Sequence, residues 1–192
     1  KPIVIGDGAD ATNSGAPGDD TTLLRELLRR DSITSRALTF LVDPAAVAQA
    51  QKVGEGKKFD FPIGGKLSTW SSPVRVRGTV QKLLDVKWVL DGHIASNLPI
   101  DMGRGAVVVV GDVVILLCER TGPGSSPKLY ECAGLDPRKF GIVIAKSPAG
   151  FRADYSPFAG EIYLADCPGC ASPRWDLLPF QNVNRPLWPL DP

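Results

Sequence analysis

Histidine is almost missing from these 192 residues: His93 is the only one. Zinc hydrolase sites commonly take two or three imidazoles, and serine or cysteine triads need an imidazole base. The chain alone therefore cannot assemble those sites unless His93 is the base. No GxSxG elbow gives it a serine to activate, and its place after Asp91-Gly92 favours a surface or hydrogen-bonded structural role. Methionine also occurs once, at Met102. With no initiator Met and an abrupt start on a strand-like run, a segment cut from a longer chain is expected; Lys1–Asp7 itself reads as neither a charged leader nor a signal-type apolar segment. Four cysteines are too few for a disulfide scaffold, so a reducing, cytoplasmic setting is the expectation. No apolar run approaches the length of a membrane span. Neither sign of charge is in excess, with 22 Lys+Arg against 21 Asp+Glu. That excludes a clustered basic footprint for nucleic acid and an acidic disordered tail. Neither nucleic acid nor a membrane is expected as a partner.

Hydrophobic residues make up 43% of the chain, enough for one domain that removes roughly 70% of its extended surface from water. Pro2–Asp7 reads as a short buried strand. A turn-rich loop over 8–20 follows, then an amphipathic helix over about 21–30 with Leu23, Leu24, Leu27 and Leu28 on one face. Asp19 or Asp20 can cap it. Arg36–Val42 is a second strand, and Asp43-Pro44 starts a second helix that Gly54 stops. Strand–helix–strand–helix is the rhythm of a parallel α/β unit. From 57 to 120 the runs Lys57–Pro62, Val74–Leu84, Lys87–Leu90 and Ala106–Arg120 suggest an antiparallel layer, with a hairpin at Gly111-Asp112. A short helix over 127–133, a strand over 140–146, a helix over 149–159 and a strand over 161–165 complete the pattern. The expected fold is α/β with α+β character. One domain over 1–192 carries a mixed β-sheet flanked by helices, an antiparallel middle section and a Pro-rich strap over 171–192 that folds back on it.

The loop over 6–20 is rich in glycine and precedes a helix, which invites a phosphate cradle. Yet it holds Asp7, Asp10, Asp19 and Asp20 and no cation, so its field repels anions, and it fails the GxxxxGK[ST] pattern. A polar or cation-containing site built on Asp and Asn, or a plain turn with a helix cap, fits better. Cys167-Pro-Gly-Cys170 has zinc-knuckle spacing without a second pair; a redox couple or incidental thiols are the other readings. Lys146 and Arg152 follow a buried strand, where α/β proteins place ligand crevices, and could hold a carboxylate or carbonyl. A serine cap at Ser147 with surface cations reads the same residues without a ligand.

Several of these pieces together resemble one family. Ser14-Gly-Ala-Pro-Gly-Asp19 with Thr21-Thr22-Leu23-Leu24 is similar to the opening of the C-terminal domain of microcystinase C (MlrC)-like proteins. Gly64-Gly65-Lys66, Gly103-Arg104, Gly134-Leu-Asp-Pro137, Lys146-Ser147, Phe151-Arg152-Ala153 and Arg185-Pro186 follow in that family's order. The resemblance implies a part of a zinc-dependent metallopeptidase, acting on peptide or amide bonds, whose zinc is held by an N-terminal domain not present in this chain. No metal ligands and no confident catalytic residue are then expected here, and the chain alone should be inactive. It further implies that Asp10, Asn13, Gly15, Asp19, Lys146, Ser147 and Arg152 face the substrate cleft. The partners implied are that N-terminal domain and a small peptide or amide; association of copies is left open. Two departures stand out. The family loop commonly reads Ala-Asp-Asn-Pro-Gly-Gly-Gly, where this chain has Ala9-Asp10-Ala-Thr-Asn13-Ser14-Gly15. The family also commonly has His where this chain has Gly150. A catalytically inactive small-molecule-binding or scaffolding domain is the alternative.

Overall fold

A computed structural model describes residues 1–29, 35–92 and 95–191. Among them eight strands form one sheet: β1 (Ile3–Asp7), β2 (Ala37–Val42), β3 (Lys58–Ile63), β4 (Val74–Leu90), β5 (Leu98–Val110), β6 (Val113–Cys118), β7 (Ile142–Ala145) and β8 (Glu161–Ala165). Their order across the sheet is β3-β4-β5-β6-β2-β7-β1-β8. β6, β2, β7, β1 and β8 are parallel neighbours, and β3 to β6 pair antiparallel. This is the mixed sheet with an antiparallel section that the sequence suggests. The hairpin at Gly111-Asp112 joins Val110 to its partner Val113.

Four α-helices flank the sheet in the described residues: α1 (Thr22–Arg29), α2 (Pro44–Val53), α3 (Lys128–Glu131) and α4 (Phe151–Tyr155). The connection β1–α1–β2 steps over β7 in one direction, and β7–α4–β8 steps over β1 in the other. Right-handed crossovers put such helices on opposite faces. Accordingly Leu24 and Leu27 of α1 share a core with Ala46, Val47 and Ala50 of α2. Leu129 and Tyr130 of α3 share the other core with Phe151 and Tyr155 of α4. Tyr130 is fully buried because its hydroxyl donates to the Ile144 carbonyl at 2.6 Å.

Three elements differ from the sequence reading. β4 is one strand of 17 residues, where Val74–Leu84 and Lys87–Leu90 read as two. Register shifts at Val80/Lys82 and Asp85/Lys87 break its alternation, as bulges do. Phe59 and Ile63 of β3 and Val76 of β4 share the core of α1 and α2. β5 begins at Leu98, eight residues before the expected start, since Pro99, Gly103 and Gly105 mask a strand in sequence. α4 is a short helix rather than a helix over 149–159, and Pro157 follows its end. His93 and Arg30 lie outside the described residues. No helix among the described residues is long and apolar enough to cross a membrane.

Candidate functional site

Parallel strands end together, so the loops after β1, β2, β6, β7 and β8 gather along one edge of the sheet. The loop after β1 closes on itself around Asp10. Its Oδ1 accepts from Gly18 N at 2.9 Å and its Oδ2 from Asp20 N at 2.8 Å. Those amides cannot also hold an anion, which disposes of the phosphate cradle. Gly18 sits at φ +82°, and a Cβ there would lie 2.6 Å from Thr12 Cγ2, so no other residue fits the turn.

The cation this acidic loop attracts comes from the same chain. Lys146 Nζ lies 2.8 Å from Asp10 Oδ2 and 3.2 Å from Asp7 Oδ2, and all three side chains are buried. Burial alone would pull the ammonium pKa down, but the Asp7 and Asp10 carboxylates outweigh it and raise it. Burial raises the Asp10 carboxyl against the pull of Lys146. Lys146 therefore does not stand open to a substrate carboxylate; it locks the loop after β1 to the end of β7.

Asp19 and Asp20 divide the work that the sequence left undivided. Asp20 Oδ1 accepts from Thr22 N at 2.7 Å at the start of α1. Asp19 reaches across instead, its Oδ2 accepting from Lys66 N at 2.7 Å and Leu67 N at 2.8 Å. A second clamp on that segment comes from Asp43. Its Oδ1 caps α2 through Ala46 N, while its Oδ2 accepts from Gly64 N and from Lys66 Nζ at 2.7 Å. Gly64, at φ +62°, lets Asp19 O approach to 2.6 Å of where a Cβ would be. The loop over 64–73 is thus pinned against the loop after β1.

Between these two loops lies a groove of about 460 Å³. Gly15 and Pro17 line one side; Leu67, Ser68, Thr69 and Trp70 line the other, with Cys170. Of the residues the family resemblance points to, Gly15 lines this groove, and Asn13 is exposed in the adjoining 3₁₀ turn Thr12–Ser14. Asp10, Asp19 and Lys146 are buried behind it. Ser147 is fully buried, its Oγ has no hydrogen-bond partner, and it caps no helix; the residue before α4 is Gly150, which makes no side-chain cap. Arg152 is exposed on α4, with its guanidinium 5.7 Å from the Phe151 ring. Sequence reasoning placed Asp7 in the acidic loop and Lys66 in the family match without finding their partners, and it missed the groove wall Leu67–Trp70. The Asp43-Pro44 dipeptide gave a signal for the cap and not for the clamp.

The Cys167–Ala171 segment closes over the loop after β1. Ala171 N donates to Ala9 O at 3.0 Å, and Gly169 packs so tightly that a Cβ would meet Ala9 O at 2.4 Å. Burial, reinforced by Asp7 and Asp20, pushes the Cys167 thiol up to about 12. A thiol so held is protonated at neutral pH and weakly nucleophilic. No group of three or more His, Cys, Asp or Glu among the described residues is placed to hold a metal ion. The described residues do not fit a metal centre.

A family model described as MlrC C-terminus matches residues 5–182. Comparison with curated proteins finds no match. Among solved structures, that of a candidate metallopeptidase from Mesorhizobium sp. BNC1 is similar at 24% identity, with a TM-score of 0.91. The match covers 100% of this chain and 38% of that one, so this chain spans well under half the length of its structural relative.

Proposed function

Starting from the fact that this chain belongs to the MlrC C-terminal family, we propose that it completes the substrate cleft of a metal-dependent peptidase or amidohydrolase. One observation carries the reading: a groove with rigidly held walls stands at the carboxyl edge of the parallel strands, where α/β proteins bind ligands, without metal ligands of its own. On this reading the family metal, zinc, belongs to a preceding domain. The present residues bind and orient a peptide or amide and keep bulk water away. Leu67 and Trp70 offer apolar contact, and Gly15 offers backbone to a chain lying close. Asn13 and Arg152, whose side chains are exposed, are free to touch substrate directly. Asp10, Asp19 and Lys146 act one layer back as positioning residues.

The test is steady-state hydrolysis of short linear peptides by the complete polypeptide. Trp70→Ala and Asn13→Ala should each raise KM about 10-fold, equivalent to about 1.4 kcal/mol of lost binding, with kcat little changed. Unaltered KM in both variants, or hydrolysis by residues 1–192 alone, overturns the assignment. Gly150, standing where the family commonly has His, favours a second reading: a binding or scaffolding domain without catalysis. Peptide binding with no turnover by the complete polypeptide would select it.

A further inference from the structure

The Pro-rich tail over 171–192 contributes nothing to either core of the domain. Among the described residues, its last long-range backbone hydrogen bond is that of Ala171, whose amide reaches Ala9 O. Beyond that point every hydrogen bond and ion pair of the described residues is local. Arg174 pairs with Asp166 and Asp176, Arg185 with Asp191, and the backbone bonds link near neighbours only. None of the tail's apolar side chains belongs to either core. Trp175, Leu177, Phe180, Val183 and Trp188 are all exposed, Trp188 by 81%. Large apolar residues gathered in so short a stretch mark a surface meant to be covered. The Arg174–Asp166 contact, at 3.6 Å, sets the base of the tail beside the end of β8, where Tyr163 and Leu164 are exposed as well.

The chemistry narrows what covers it. Residues 173–191 carry two Arg and two Asp, each in a local pair, so the segment has no charge to offer. A membrane surface would be sought through Lys and Arg clusters, which are absent from this segment. The related structure has the same fold over 100% of this chain, tail included, and a further 62% of its own length lies outside the match. We propose that residues 173–191 form a docking arm that seats in an apolar groove of the domain preceding this one in the complete polypeptide. This rests on the reading above that such a domain exists. A contact within one polypeptide avoids most of the entropy that a second molecule would lose on binding.

Two measurements on the complete polypeptide test it. Hydrogen exchange should find the 175–190 amides protected at least about 100-fold over unprotected rates, independent of protein concentration. A photo-crosslinking residue, p-benzoyl-phenylalanine in place of Trp188, should join the arm to peptides preceding Lys1, in a product of monomer mass. Unprotected amides, capture by residues 1–172, or a crosslinked dimer with concentration-dependent protection would each overturn the proposal; the last would assign the arm to a second copy. Hydrolysis plays no part in this readout. A docked arm in a protein that cleaves nothing upholds the arm and removes the peptidase reading, and a free arm in an active enzyme does the reverse.

Discussion

Lys146 and Asp10 stand 136 positions apart in the chain and meet at 2.8 Å, with neither side chain more than 3% exposed. Asp7 joins them from the end of β1. Two carboxylates and one ammonium, taken out of water together, hold the loop after β1 in one shape. Such groups are costly to bury singly and tolerable only as a set.

Lys146→Met is therefore expected to act on folding. It strands Asp7 and Asp10 without their cation and should cost about 3–5 kcal/mol near pH 8, read by urea denaturation. The sign of the pH dependence follows from Asp10. Burial already raises its pKa, and a carboxyl with a raised folded pKa stabilises the fold below its unfolded value and loses that contribution as pH rises through the folded one. The variant should thus recover part of its deficit at pH 5, where Asp10 can hold a proton. A deficit equal at both pH values, or none at all, contradicts the buried set.

Asp19→Ala removes the acceptor for the Lys66 and Leu67 amides. Leaving two such donors unpaired should cost about 1–3 kcal/mol. Amide exchange should quicken at 66 and 67 first, ahead of the strands. Asp19→Asn keeps one carbonyl oxygen and should retain most of the protection. Equal exchange in all three proteins would mean the loop is held by other contacts.

The thiols give a third check. With its pKa pushed up to about 12, Cys167 is almost all thiol at pH 8. Its alkylation by iodoacetamide should run at least about 100-fold slower than that of a free cysteine. Cys170, exposed at the groove, should label first, and buried Cys118 only on unfolding. Rapid labelling of Cys167 would show that the segment over 167–171 opens.

The parallel half of the sheet was readable because its strands are apolar runs bounded by Gly, Pro and Asp, as at Ala37–Val42 before Asp43-Pro44. The antiparallel half resisted where bulges and glycine interrupt alternation, in β4 and at the start of β5. At the candidate site the residue types were legible and their partners were not. Lys146 reads in sequence as a ligand-seeking cation because nothing local announces Asp7 and Asp10 as its counter-ions. Asp19 reads as a cap because a helix follows it, and the amides it holds come from Lys66 and Leu67, far along the chain. Local chemistry predicts local bonds; the crossovers decide the others.

Asp43 divides its two oxygens between the first turn of α2 and the Gly64–Lys66 segment. One carboxylate thus joins a helix behind the sheet to the far wall of the groove. Loss of that one side chain should therefore loosen the start of the helix and the segment leading to Leu67–Trp70 together.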